Sequence, residues 1–254
     1  MLRELPDLKR LPRPVFARVE SLLAGSKTLS HSHHWIQLSY AVSGVLEVRT
    51  AQGNFVAPPK RAVWVPAGVE HQVLSSDRAE MRGLYIDTRA VLGAPERCRV
   101  LEVSSLVREL ILAVAALPPE YDRDGPDGRL VAVLLDRLAA LPEVGLSLPL
   151  PGDERLGRVC ADMLHAPDDP RTEVDWAKSI GMSERTMTRL FKSQTGLSFG
   201  NWRLSMRLLA ALAELEAGRS VTAVALGCGY ESTSAFIAAF KKRFGQTPGK
   251  FFHR

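Results

Sequence analysis

Three groups of side chains in this sequence have types and spacings that can do chemistry. Toward the C-terminus, Ser234, Lys241, Lys242 and Arg243 lie off an apolar series of Phe236, Ile237, Phe240 and Phe244. Earlier, Arg185, Thr188, Arg189 and Lys192 lie off a second series of Met187, Leu190 and Phe191. Ammonium and guanidinium groups neutralise phosphates, and an arginine can also donate twice to the O6/N7 edge of guanine, worth about 1–3 kcal/mol of discrimination. Near the N-terminus, His31 and His33 are two residues apart, the spacing at which strand residues share a face. Imidazole nitrogens suit Zn, Ni, Fe or Cu.

Short helices must position the basic residues. In 221–245 (VTAVALGCGYESTSAFIAAFKKRFG), Val221, Val224, Ala225 and Leu226 predict the inward face of one short helix. The glycines at 227 and 229 end it. Ser232 or Thr233 then caps a second helix, which stops at Gly245. Two helices at a glycine-bearing turn read as a helix-turn-helix, or alternatively as an ordinary helical hairpin. Residues 174–196 repeat the plan: Val174, Trp176, Ala177 and Ile180, then Gly181, then Ser183 as the cap of a second helix. A long helix over 199–217 joins the two units and ends at Gly218. Trp176, Leu190, Phe191, Trp202, Leu208, Phe236, Phe240 and Phe244 are expected in the core.

LFKSQTGLSF, RLLAAL and GYESTSAFIAAFKKRFGQTP resemble the DNA-binding domain of AraC/XylS-type bacterial transcription regulators, and the resemblance covers 153–254. It implies double-stranded DNA as partner, with RNA polymerase a candidate second one. DNA contacts are then expected from Ser183, Arg185, Thr188, Arg189 and Lys192 in the first unit, and from Thr233, Ser234, Lys241 and Lys242 in the second. Arg185, Thr188, Arg189, Thr233, Ser234 and Ala238 match the base-contacting surface; Lys192, Lys241, Lys242 and Arg243 are phosphate candidates. Ala238 departs from the long polar or basic side chain frequent there, so the first unit is expected to carry most of the specificity. The resemblance also implies recognition helices entering successive major-groove turns, about 34 Å apart.

From His31 to about Asp87 the texture is β, with short runs at 36–42, 45–50, 62–65 and 81–86. Residues 15–19 can supply an edge strand, and Gly44, Gln52-Gly53-Asn54 and Pro66-Ala67-Gly68 suit turns. The expected fold class is α+β in two domains: a small antiparallel sandwich or barrel with following helices, then an all-α domain with two helix-turn-helix units. His31-Ser-His33, Gln37, Gly44 and the later PAGVEH ending at His71 resemble the two cupin motifs. That likeness implies a barrel in which His31, His33, Gln37 and His71 converge on a divalent transition metal. Gln37 departs from the usual glutamate and is a weaker ligand. The other reading is a polar pocket for a small organic effector. His34 is expected to be exposed, Glu70 to point away, and Trp35, Tyr40, Phe55 and Trp64 to be core.

From 101 to 141 the texture is α: Leu106, Leu110, Ile111, Val114 and Leu117 form one stripe before Pro118-Pro119, and Leu130, Val133, Leu134, Leu138 and Leu141 a second. These helices either pack within the chain or, by the family resemblance, build a homodimer interface. Residues 142–152 have the Pro/Gly punctuation of a linker. The domains are thus expected at 1–100, 101–141 and 153–254.

With 254 residues the chain is long enough for two modest cores. Its net charge of +5 is uneven: 153–254 carries 15 Lys+Arg against 11 Asp+Glu. That excess suits a polyanion partner and is too small for bulk DNA packaging. The three cysteines, Cys98, Cys160 and Cys228, are far apart and read as reduced cytoplasmic thiols. MLRELPDLKRLPRP lacks the apolar core of a signal peptide, and no membrane span follows. The expected function is a cytoplasmic, sequence-specific transcription regulator controlled by a ligand or metal ion. The alternative is a metal-dependent cupin oxygenase or isomerase fused to a DNA-binding module. Against it, no second acid/base cluster accompanies the histidines.

Overall fold

The computed structural model describes residues 2–3, 8–75, 78–91 and 93–252. Residues 1, 4–7, 76, 77 and 92 of the expected N-terminal domain and the last two residues of the expected DNA-binding domain lie outside these. The chain divides into two compact units, one of residues up to 50 with 55–147, the other of 51–54 with 148–254.

The first unit holds β1 (Leu2–Arg3), β2 (Val15–Leu22), β3 (Ser26–Thr28), β4 (Ile36–Ser43), β5 (Leu46–Thr50), β6 (Gly53–Ala57), β7 (Arg61–Val65), β8 (His71–Ser75), β9 (Ala79–Ile86) and β10 (Arg99–Glu102). Helices α1 (Ser105–Ala115) and α2 (Pro126–Ala139) and the two-residue β11 (Glu143–Val144) follow. The strands make two sheets rather than a closed barrel, the sandwich form of the expected architecture. One sheet takes β1, β3, β8, β5 and β6 in that order; the other runs β11–β10–β7–β4–β9–β2, with β2 at its edge. β1 and β3 pair parallel, and β3–β8, β5–β8, β2–β9, β4–β9, β4–β7 and β7–β10 pair antiparallel. At the β4–β5 turn only glycine fits: Gly44 has φ +75°, and a Cβ there would lie 2.3 Å from the carbonyl oxygen of Arg78.

Helices α1 and α2 pack on the second sheet through Val107, Ile111, Val114, Val131, Leu134 and Leu138, joined with Ile36, Leu38, Tyr40, Trp64, Leu84 and Ile86 in one core. The expected stripes are out of phase at two points: Leu106 and Val133 are exposed, and Val107 and Val131 take inward places. The i, i+3, i+4, i+7 series that matters is Val107, Leu110, Ile111 and Val114. Within 142–152, β11 pairs with β10 and a further short strand, β12 (Ser147–Pro149), forms. Leu146 and Leu148, two residues apart, are both buried there.

The second unit is helical: α3 (Glu154–His165), α4 (Glu173–Ser179), α5 (Glu184–Thr195), α6 (Phe199–Glu216), α7 (Val221–Gly227), α8 (Thr233–Phe244) and α9 (Pro248–Phe251). Serines start α5, α6, α7 and α8: Ser183, Ser198, Ser220 and Ser232 each accept from a backbone N–H one turn on. Trp176, Phe191, Trp202, Leu208, Phe236 and Phe240 are buried. Leu190 and Phe244 are only half-buried. Val174 and Leu226, expected inward, are 37 % and 58 % exposed. A seven-residue helix has room for few inward positions, and Trp176 with Ala177, or Val224 with Ala225, already fills them.

Candidate nucleic-acid interface and histidine pocket

Helices α4–α5 and α7–α8 form the two helix-turn-helix units, with Gly181 (φ +68°) and Gly229 (φ +74°) at corresponding turns. On α5, Arg185, Thr188, Arg189 and Lys192 line one groove together with Glu184 and Ser193. Arg185, Arg189 and Lys192 are exposed. Two of the expected contact residues already have intramolecular work. The Ser183 hydroxyl accepts from the N–H of Thr186 at 3.2 Å as the helix cap. Thr188 Oγ1 donates to Glu173 Oε1 at 2.6 Å, with the Glu184 carbonyl 2.9 Å away. The carboxylate of Glu184, in the groove with the arginines, was not anticipated. It is an acceptor and can take a bond from a cytosine amino group.

On α8, Ser234, Ala238, Lys241 and Lys242 are exposed, and Thr233 Oγ1 donates to Thr222 Oγ1 at 3.3 Å. The two lysines fall in the last turn, where cations oppose the partial negative charge of the helix end. The linking helix α6 braces the connection between α3 and α4. Arg203 Nη1 donates to the carbonyl of Arg171 at 2.7 Å, and Arg207 Nε donates to that of Pro167 at 2.9 Å.

In the first unit, His31 and His71 face each other across a backbone bridge, N–H to carbonyl in both directions at 3.0 and 2.9 Å. His71 opens β8; His31 and His33 precede β4 instead of lying in a continuous strand. The turn at 66–68 holds His33 through Gly68 N–H to its carbonyl at 2.8 Å. The ring centroids of His31 and His71 are 4.3 Å apart, those of His33 and His71 5.0 Å. One potential ligand atom from each of the three lies within 4.8 Å of the others.

Each of these rings also has Nδ1 against a backbone carbonyl: Leu29 for His31 at 3.0 Å, Trp35 for His33 at 2.8 Å and Val69 for His71 at 2.8 Å. A carbonyl only accepts, so each Nδ1 carries the proton and each Nε2 presents a lone pair. Burial lowers the pKa of all three, His71 to about 4, so they are neutral at pH 7. Gln37 Oε1 lies 3.1 Å from His33 Nε2 and 3.4 Å from His71 Nε2, while its Nε2 donates to Ser39 Oγ at 3.0 Å. His31 Nε2 is buried and has no partner among the described residues. Four acceptors therefore meet without a donor. Ser39, two residues beyond Gln37 on β4, is the member of this group that sequence reading missed, although period-two alternation puts it on the same face.

His34 is exposed, and the exposed Glu70 carboxylate turns to Ser30 Oγ at 2.9 Å, as expected. Tyr40, Phe55 and Trp64 are core, but Trp35 is half-buried and stacks on His33 at 5.0 Å. The three cysteines are free and buried, and burial raises their thiols to about 11 for Cys98 and Cys228 and about 12 for Cys160. Among the described residues no helix is long and apolar enough to cross a membrane.

The sequence matches the family described as "AraC-like ligand binding domain" over residues 13–138 and the "Helix-turn-helix domain" over 176–254. It is 38% identical over 224 residues to the HTH-type transcriptional regulator NimR of Escherichia coli (strain K12), spanning 88% of this chain and 82% of that one. The HTH-type transcriptional regulator RipA of Corynebacterium glutamicum is 33% identical over 103 residues, 41% of this chain and 31% of its own length. Among solved structures, ToxT from Vibrio cholerae superposes with a TM-score of 0.40 at 9% identity, covering 94% of this chain and 98% of that one. The relatives at substantial identity are regulators, so the chain is not an enzyme and the cupin-enzyme alternative falls. With an AraC-like ligand-binding domain ahead of a DNA-binding helix-turn-helix domain, the chain belongs to the AraC family of transcription regulators.

Proposed function

We propose that this regulator is controlled by a divalent transition metal ion held by His31, His33 and His71 with Gln37 as a weaker fourth donor. The observation that carries this reading is the convergence of three Nε2 lone pairs and an amide oxygen with no donor among them. Turning the Gln37 amide over would relieve the metal-free state at His33 and His71, with Ser39 then donating; His31 Nε2 would still be orphaned. The donor set fits the ion: neutral imidazoles, each oriented by a backbone carbonyl, suit Zn, Ni, Fe or Cu. When bound, the ion supplies a fixed positive centre and an open coordination position. The chain's part is to hold the three rings neutral and aimed. Regulation requires that occupancy favour one arrangement of the DNA-binding units over another, since equal affinity for both shifts nothing.

On the DNA side, Arg185 and Arg189 are assigned to base edges, and Lys192, Lys241 and Lys242 to phosphates. Thr233 and Ser234 join the second contact surface, whose small residues leave it mainly a positioning role. Ser183 and Thr188 act by fixing α5 and the groove wall, because their hydroxyls are already engaged. The protein acts in the cytoplasm, where DNA and RNA polymerase are, and as a homodimer it would meet paired half-sites.

Elemental analysis of full-length protein purified without an affinity tag or chelator, beside a His33→Ala variant, tests the metal reading. Near-stoichiometric metal that is lost in the variant is expected. Metal-free protein that also takes up no added Zn, Ni, Fe or Cu would refute it.

A further inference from the structure

The groove along α5 brings together charged side chains of both signs. Arg185, Arg189 and Lys192 line it with Glu184, and all of them are exposed. Among the described residues no ion pair engages any of these groups. The hydroxyls of the lining are spent as donors within the protein: Thr188 Oγ1 to Glu173 Oε1, and Ser193 Oγ to the carbonyl of Leu190 at 2.8 Å. Arginine and lysine side chains only donate. Among the lining residues, the Glu184 carboxylate is therefore the one group that only accepts.

Its place in the helix matters as much as its chemistry. Ser183 is the N-cap, and Glu184 is the first residue of α5. A recognition helix contacts base edges with its N-terminal residues. A carboxylate at that end suits the partial positive charge of the helix terminus, but the phosphates of a bound duplex repel it. The repulsion is offset where the carboxylate oxygens meet a donor on a base edge. The major groove offers two donors: the N4 amino group of cytosine, and the N6 amino group of adenine beside its N7 acceptor. A carboxylate has no proton for N7, so adenine satisfies one oxygen and repels the other. Guanine and thymine present only acceptors or a methyl group there.

We infer that Glu184 is a specificity-determining residue that selects a cytosine through its N4 amino group and weakens binding to sequences without one. The inference rests on the assignment of α5 as the reading helix. Arg185 and Arg189 then select acceptor edges and Glu184 a donor edge, so one helix uses both halves of the hydrogen-bond code. Glu184 opens the helix and Arg189 lies about 7.5 Å further along it, so the two report on different base pairs.

The test is selection from a randomised double-stranded site library by the full-length protein and its Glu184→Ala, Glu184→Gln and Arg189→Ala variants, with affinities for the selected site and for bulk DNA. The wild type should favour cytosine at one position by about fivefold or more. Glu184→Ala should erase that preference, keep the others, and bind bulk DNA at least as tightly as the wild type. Glu184→Gln should admit adenine at the same position, since an amide both donates and accepts. If Arg189→Ala relaxes its own position while Glu184→Ala keeps every preference, the inference is overturned and α5 remains the reading helix. A uniform affinity loss in Glu184→Ala with preferences unchanged would reduce Glu184 to a helix-end charge and overturn it equally. No preference in the wild type, or unchanged preferences in all three variants, would defeat the reading of α5 as well.

Discussion

Arg207, midway along α6, donates from Nη1 to the carbonyl oxygen of Gly229 at 3.1 Å, tying the linking helix to the turn of the second helix-turn-helix unit. Gly229 sits at φ +74°, and a Cβ there would lie 2.6 Å from Arg207 Nη2 and 3.0 Å from Asp168 Cα. Gly229→Ala should therefore combine left-handed strain with a steric clash, costing about 2–3 kcal/mol. Gly245→Ala has the same strain (φ +76°) and nothing within 4 Å, so it should cost about 1–2 kcal/mol. Urea denaturation of both variants checks the difference. Equal losses would mean that the Arg207 contact does not constrain the turn.

Arg189 and Lys241 separate specificity from affinity. Arg189→Ala should relax base preference at one operator position, removing about 1–3 kcal/mol of discrimination. Lys241→Ala should weaken all sequences alike and lower the salt slope by about one unit. Binding to a randomised site library at two salt concentrations measures both. Sequence-blind losses from both changes would defeat the assignment of α5 as the reading helix.

Gln37→Glu should tighten divalent metal binding by roughly tenfold or more, because a carboxylate adds charge to a site of three neutral imidazoles. In metal-free protein the same change buries an unpaired charge and should lower stability. Competition against a chromogenic chelator, with thermal melts of the apo form, reads both effects. A Gln37→Glu protein with unchanged affinity would exclude Gln37 from the coordination sphere.

The first helix of the DNA-binding pair is held by a capping box. Asp175 accepts from Thr172 N–H at 2.9 Å and from its hydroxyl at 2.7 Å, and these bonds hold its carboxyl below the usual range. A depressed folded pKa contributes stability that is complete above the ordinary carboxylate range and is lost as pH falls through the lowered value. Stability of the wild type should thus drop between about pH 5 and 3 more steeply than that of Asp175→Asn. Thr172→Ala should cost about 1 kcal/mol at neutral pH. Parallel slopes for wild type and Asp175→Asn would remove the cap from the acid transition.

All three thiols are buried and pushed well above neutrality, Cys160 to about 12. At pH 8 none should react with a thiol reagent on the timescale of minutes until denaturant is added. Rapid labelling of the native protein would show that one of the cores opens locally.

Where sequence reading succeeded, one residue type had one physical use. Ser183 and Ser232 cap helices, Gly181 and Gly229 turn the chain, and Phe191 and Phe240 fill the core between them. It was less accurate where apolar residues outnumbered the inward positions. Val174, Leu226, Leu106 and Val133 share helices with better-phased neighbours and were left outside. Strands β3, β6 and β10 were not foreseen: each is five residues or fewer and lacks a clean bounded run of β-branched residues. In the histidine pocket, the residue types and their convergence were legible. The Nδ1 bonds to Leu29, Trp35 and Val69 were not, because a backbone carbonyl offers no side-chain signal.

The bridge between His31 and His71 joins positions forty residues apart in the chain. An ion on both rings would act as a removable staple across that span, present only while the folded chain brings the two rings together. Folding of the sensor unit would then depend on the metal supply: at a hundred times the dissociation constant the folded form gains about 2.7 kcal/mol. A cell short of the ion would hold not only an unliganded regulator but a less durable one. Abundance, through proteolysis of the opened unit, would carry the same message as occupancy.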